Sequence, residues 1–400
     1  MPAVAGNSVL AERTRVSALF LFHGVIFSTW VSRIPSVQAS LRLSTGLLGL
    51  LLLCNAAGSI ASTPIAGILV ARCGSQIVVQ LSSICFGIAL LGLAMSANAV
   101  QFAVALFFFG ATGGCMNVSM NQQAILVESL SQKPLMSSFH ALFSLGAMLG
   151  TFAGGLAAEH KISVQQHLIV ATAILCTGVW FASRKVMDGA IQPTSTSRNL
   201  VLQTARSILP LAMIAFCAGL SEGAMADWIG VYLHTELLTS LGRAALGYSA
   251  FSFAMVAGRI AGDRVTHALG SRRCIRVGYM LGTVGLSVSL VTHVVPATIT
   301  GFACVGLGLS VVIPNVFRIA AHIKGVASAY GVAAVTATAY LGILTGPPVI
   351  GGLAQLSSLR LALVFVGMAM VLGVVLSRRG LQTQSNSSLP ENCLDESLCA

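Results

Sequence analysis

Apolar residues in this chain gather into runs of about 20, the length a helix needs to cross ~30 Å of hydrocarbon at 1.5 Å per residue. The runs fall near residues 16–35, 46–70, 76–96, 99–126, 137–158 and 165–183, and again near 207–233, 243–263, 274–292, 295–318, 326–354 and 358–377. They predict an all-α membrane protein with twelve spanning helices. The longest polar interruption, residues 184–206, holds Pro193 and a Ser/Thr cluster and reads as a linker. The chain therefore divides into a six-helix bundle over 1–183, the linker, a second six-helix bundle over 207–377, and a Ser/Asn/Gln-rich tail over 378–400 that is expected to be disordered. The opening MPAVAGNSVLAERTR leads into an apolar run with no small-residue cleavage site after it, so the first run reads as a retained span rather than a signal peptide.

The two sets of six resemble each other. FSLGAMLGTFAGGL in span 5 and YLGILTGPPVIGGL in span 11 match Gly146, Gly150, Gly154 and Gly155 to Gly342, Gly346, Gly351 and Gly352 with one inserted residue. Spans 2 and 8 begin near Leu48-Gly49 and Leu246-Gly247 and end at Gly74-Ser75 and Gly270-Ser271. Spans 1 and 7 pair His23-Gly24 and Trp30 with Glu222-Gly223 and Trp228. Three matches in register argue for pseudo-symmetric halves, a common build among secondary transporters.

Composition agrees with a bilayer: 8% of residues are charged and 56% hydrophobic, against roughly 25% charged in soluble chains, and the mean hydropathy is +0.88. The net charge of +11 is spread as single basic residues between apolar runs, so it reads as a sidedness code and no nucleic-acid partner is expected. Sixteen Lys/Arg fall on the side of the termini and linker, five (Arg33, Arg42, Lys161, Arg243, Arg360) on the other, and Arg259 inside span 8. Both termini are therefore expected in the cytoplasm. Ten cysteines are scattered without a CxxC and read as packing residues, so neither metal nor cofactor is expected. No GxxxxGK[ST] or HExxH is present, which argues against an ATP-driven engine and a metal-dependent hydrolase, and no enzyme is expected.

The loop after span 8, GRIAGDRVTHALGSRR, brings Asp263 together with Arg264, Arg272 and Arg273, while its counterpart GILVARCGSQ keeps Gly67, Arg72 and Gly74 with Ala71 where an acid would stand. With the repeats, these motifs resemble the major facilitator superfamily over residues 14–377. The combination of SSFHALFSLG with EGAMADW is most similar to its YbjJ-like inner-membrane branch, itself similar to the fucose-permease type. The resemblance implies two six-helix bundles around a central path, lined by spans 1 and 7 among others, in a bacterial inner membrane. It further implies that Asp263, Arg264, Arg272, Arg273 and Arg72 gate the cytoplasmic ends, a solvated charge cluster being the competing reading, and that the glycine ladders of spans 5, 8 and 11 slide against the opposite half.

Candidate chemistry stands out against the apolar background in CAGLSEGAMADWIGVYL, residues 217–233. A mid-span acid costs about 2.5 to 3.5 kcal/mol on insertion scales and faces a water-filled path or a partner, so Glu222 is expected to carry a proton or to sit in a structural pair. Asp227 lies five residues on, about 140° around the helix, so the two acids are not expected to point into one cavity. Asp227 reads as a rim or capping group, with Arg33 a candidate partner, or else with Trp30 as an outer-end solute contact. His23, at the repeat-equivalent of Glu222, either shares proton transfer with it or bonds a neighbouring helix. His140 reads as a packing or gating residue.

On span 4, Gly110, Gly113, Asn117, Asn121 and Glu128 fall on one face at about 100° per residue. Asn117 and Asn121 are expected to contact a solute or to bind neighbouring helices, and Glu128 to be a solvated end. Asn315, beside Pro314 in span 10, offers a further amide. With no Lys or Arg read as deep enough to neutralise an anion, the cargo is expected to be neutral, sugar-like or cationic. These readings converge on a proton-coupled secondary transporter of a small polar solute, acting as a monomer with the lipid bilayer as surroundings. An exporter of lipophilic compounds and a non-transporting membrane sensor are the alternatives.

Overall fold

The computed structural model describes residues 6–131, 135–184, 186–187, 198–323 and 328–379. Lys133, Lys185, Lys324, residues 188–197 of the expected linker and the tail from residue 380 lie outside the described residues. Among the described residues there are twelve helices long and apolar enough to cross a membrane and no strand. In chain order the helices are α1 (Gly6–Val31), α2 (Ile34–Ser40), α3 (Thr45–Cys73), α4 (Ser75–Met95), α5 (Ala99–Ser131), α6 (Met136–Glu159) and α7 (Val164–Ser183). They continue with α8 (Arg198–Thr235), α9 (Leu241–Leu269), α10 (Ser271–Val291), α11 (Val295–Leu309), α12 (Val312–Ala320), α13 (Ser328–Leu356) and α14 (Leu359–Arg379). α8 thus begins inside the segment read as linker.

Two of the twelve spans are broken, each four residues before a proline, whereas Pro64, Pro210, Pro347 and Pro348 lie inside helices that continue. Pro35 and Pro314 have no N–H to give the carbonyls four residues back, Val31 and Ser310. The helix stops at those carbonyls, separating α1 from α2 and α11 from α12. The Gly-Ser repeats are joints of one geometry: Gly74 (φ 82°, ψ 152°) turns the chain from α3 into α4, and Gly270 (φ 76°, ψ 150°) turns it from α9 into α10. That backbone region is essentially restricted to glycine.

Packing repeats between the halves as well. α1 lies on α6, α3 on α5, and α4 on α5 and α7; α8 lies on α13, α9 on α11, and α10 on α11 and α14. The halves meet along α6 with α9 and α3 with α13. The glycine ladders do not run along this seam as expected. Gly146 and Gly150 face Leu21, Val25 and Ser28 of α1, Gly342 faces Phe216 of α8, and Gly258 faces Ser310 after α11, each within its own half. Small residues let backbones touch where burial from lipid gives little drive, and here that closeness builds each bundle.

The seam itself carries a different pair of glycines and two matching clasps. A Cβ on Gly49 of α3 would lie 2.8 Å from the Gly351 Cα of α13, so neither position has room for a side chain. The Gly46 N–H at the start of α3 donates to Gln355 Oε1 at the end of α13 (3.2 Å). In the same relation, Ser240 at the start of α9 donates to Glu159 Oε2 at the end of α6 (2.7 Å). Both clasps close the end of the molecule remote from the termini. Toward the end that carries the termini, Arg259 of α9 joins the bundles by donating to the His140 carbonyl, four residues into α6.

Candidate functional site

Between the two bundles lies a cavity of about 210 Å³. Its first-half wall presents His23 from α1, Asn55 and Ser59 from α3, Asn117 from α5, and the rings of Phe27, Phe86, Phe109 and Phe143. The opposite wall presents Glu222 and Asp227 from α8, Tyr248 from α9, and Tyr340 and Pro347 from α13.

Both acids of α8 face this one cavity, contrary to the expectation from their 140° separation. The lining positions on α8 are Glu222, Gly223, Ala226 and Asp227, which at 100° per residue occupy one arc with the acids at its edges and the two small residues between. Gly223 and Ala226 admit the cavity far enough around the helix for both carboxylates to border it. Glu222 lies about 20 Å and Asp227 about 12 Å before the end of α8, counted at 1.5 Å per residue.

Glu222 is not alone. Arg259 Nη2 of α9 stands 3.6 Å from Glu222 Oε1, the carboxylate side chain being 35% exposed and the guanidinium 13%. Arg259 Nη1 donates to the His140 carbonyl (3.0 Å) and to Ser144 Oγ, both on α6. One guanidinium therefore touches an acid of its own bundle and the backbone of the other. This corrects the expectation that no cation lies deep in a span: Arg259 is ten residues, about 15 Å, inside the end of α9. Its place within span 8 was visible in the sequence, but its distance from the helix end was not.

Asp227 forms no hydrogen bond or ion pair among the described residues, and Arg33, its candidate partner, is engaged elsewhere. Arg33 Nε donates to His167 Nδ1 (3.0 Å) and Arg33 Nη2 to the Ile162 carbonyl (3.2 Å), tying the α1–α2 break to α7 and the loop before it. His23 is 7% exposed. It packs against Phe86 and Phe143 with ring centroids 5.2 and 5.3 Å away, and its buried Nδ1 has no hydrogen-bond partner. A hydrogen bond from that nitrogen to a neighbouring helix is thus absent.

The polar face of α5 is only partly in the cavity. Gly110, Gly113 and Asn117 line it. Asn121 lies off the lining and donates to the Asn117 carbonyl (2.8 Å) and to its side-chain oxygen. Glu128, expected as a solvated end, instead accepts the backbone N–H groups of Leu135 (2.7 Å) and Met136 (2.9 Å), capping the start of α6.

Other expected site residues fall outside the lining. Trp30 is 1% exposed and packs on Phe102 inside the first bundle. Asn315 gives its amide to Thr266 Oγ1 (3.0 Å) and the Val311 carbonyl (2.8 Å), holding α12 to α9. The His140 ring packs edge-on against Phe20, and only its carbonyl reaches across to Arg259. Asp263 pairs with Arg318 of its own bundle at 3.2 Å, not with Arg264, Arg272 or Arg273; the pair is exposed, and such pairs contribute about 0 to 1 kcal/mol. Arg72 is exposed at the end of α3. Conversely, Asn55, Tyr248 and Tyr340 line the cavity without having been singled out. Asn55 carried a readable signal, an amide in the apolar run LLLLCNAAG; the tyrosines look like any aromatic in a span.

The sequence matches the Major Facilitator Superfamily over residues 16–325 and 211–391. It is 33% identical over 355 residues to an uncharacterized MFS-type transporter of Yersinia pestis, covering 88% of this chain and 91% of that one. Membrane protein MosC of Rhizobium meliloti is 30% identical over 357 residues, 88% of this chain and 86% of its own. A mutant of the nucleoside transporter NupG has a similar fold, with a TM-score of 0.77 at 10% identity over 93% of this chain and 99% of NupG. So does an inward-facing, unoccupied bacterial homolog of the human lysosomal transporter Spinster, with a TM-score of 0.72 at 11% identity over 97% and 100%.

Proposed function

The chain belongs to the Major Facilitator Superfamily, and on that footing we propose that it is a secondary active transporter, coupled to protons, that moves a small polar solute by alternating access. The observation that carries this reading is the cavity between the two bundles. Two carboxylates, an imidazole and two amides converge there inside otherwise apolar spans, and intramembrane polar groups of this kind mark solute and ion pathways.

In this reading the basic residues put the termini in the cytoplasm of a bacterial inner membrane. The clasps of Gly46 with Gln355 and Ser240 with Glu159 then close the outside. Glu222 carries the coupling proton, and Arg259 supplies its counter-charge when the proton leaves, so proton and guanidinium are alternative partners of one carboxylate. His23, across the cavity, is the second proton group. Asn55 and Asn117 hydrogen-bond the solute. Asp263 with Arg318, and Arg72 on the other half, belong to the cytoplasmic gate.

The four phenylalanines on the first-half wall favour a second reading, export of lipophilic compounds. Counterflow and gradient-driven uptake in membrane vesicles distinguish the two, after a thermal-shift screen of the purified protein has identified a solute. Glu222→Gln is expected to abolish uphill accumulation while leaving solute exchange intact. Uphill uptake by Glu222→Gln at the wild-type rate overturns the assignment of the proton to Glu222.

A further inference from the structure

The two acids that border the cavity differ in what balances them. Glu222 has Arg259 at 3.6 Å, whereas Asp227 has no hydrogen bond or ion pair among the described residues and no cationic side chain lines the cavity with it. Once Glu222 is set against Arg259, one carboxylate charge is left over. Such a charge in a poorly solvated site is unfavourable until something positive meets it.

The remaining walls suit a positive occupant. Phe27, Phe143, Tyr248 and Tyr340 surround the space, and the faces of such rings attract cations. His23 also lines the cavity, and its buried Nδ1 has no protein partner. The Asn55 side chain likewise borders the cavity without a hydrogen bond among the described residues. We infer that the transported solute is a small organic monocation, a protonated amine that also carries hydroxyl or carbonyl groups, with Asp227 as its counter-ion and His23 and Asn55 as its hydrogen-bonding partners. The inference rests on the transporter reading and narrows its substrate class. Glu222, already balanced, is left free to serve the proton.

Charge selectivity of the cavity tests this without a known solute. Ser59, which lines it, is replaced by cysteine, and the membrane-embedded protein is treated with three methanethiosulfonates bearing trimethylammonium, sulfonate or a plain methyl group. Rates are read at residue 59 by peptide mass spectrometry, so the native cysteines do not interfere, and are normalised to a free thiol. The reaction is run at roughly pH 8, above the imidazole range. One unbalanced charge is expected to favour the cationic over the anionic reagent by at least about tenfold. That preference is expected to disappear in Asp227→Asn and to persist in Asp227→Glu. Equal normalised rates in the Ser59→Cys protein alone overturn the inference while leaving a water-filled path intact, and this comparison does not depend on the Asp227 variants folding. A preference unchanged in Asp227→Asn overturns the role of Asp227. Failure of all three reagents to react removes the aqueous path, and with it the transporter reading on which the inference stands.

Discussion

Arg259 is held by groups on two bundles at once: the Glu222 carboxylate on α8, and the His140 carbonyl and Ser144 hydroxyl on α6. Charge-assisted bonds of this kind contribute about 1.5 to 3 kcal/mol when both groups are desolvated, and the 35% exposure of Glu222 places this pair at the lower end. Arg259→Met is therefore expected to lower unfolding stability by about 1 to 2 kcal/mol, because it also leaves an uncompensated acid in the cavity wall. Adding Glu222→Gln is expected to restore part of that loss, a coupling of about 1 kcal/mol in a double-mutant cycle read by thermal denaturation in detergent. Strictly additive losses would mean that the two side chains are neighbours without interacting. At this scale the sequence showed the acids and the histidine, since a polar residue in an apolar run is conspicuous. It did not show partners, which depend on where two helices cross. For that reason Asn315, conspicuous by the same criterion, and Trp30, marked by the repeat, lie outside the cavity, satisfied by Thr266 and packed on Phe102.

Helices and their joints were the most legible elements, because hydrophobic length and glycine position are local properties. The Gly-Ser repeats announced two identical joints, and both have the positive φ that a side chain rarely adopts. Gly270 shows the cause cleanly: an added Cβ there would meet nothing within 4 Å, so any penalty comes from the backbone. Gly270→Ala is expected to cost about 1 to 3 kcal/mol, measured as a lower melting temperature, whereas Gly352→Ala, in a helix and equally unobstructed, is expected to leave stability unchanged or slightly raised. Equal effects of the two would remove backbone conformation as the reason for the repeat. The ladders were less legible. Glycine at every fourth position declares that some backbone approaches closely, but not whether the approaching helix belongs to the same bundle.

The molecule as a whole is two bundles that touch at a seam, with its clasps at one end. That arrangement follows from the repeat, yet the direction in which it is closed does not, since alternative closures use the same helices and the same sequence. The clasps can be fixed chemically. A Cβ on Gly46 would lie 3.1 Å from the Gln355 Cβ, within a small shift of the ~3.8 Å typical of a disulfide. Cysteines at these two positions are expected to cross-link on oxidation and to stop transport until reduced; full activity in the cross-linked protein would mean that the seam does not open there.

The central claim is that protonation of Glu222 is linked to which end of the cavity is open, and a distance across the clasped end tests it most directly. Spin labels at Ser40, the last residue of α2, and at Leu238, 85% exposed between α8 and α9, lie on opposite halves and report that separation by pulsed electron paramagnetic resonance in lipid nanodiscs. The account predicts two distances, closed and open, whose proportions change between alkaline and acidic buffer in the wild type and change much less in Glu222→Gln, where His23 alone is left to take a proton. A single distance at every pH, or an unchanged pH response in Glu222→Gln, would contradict it.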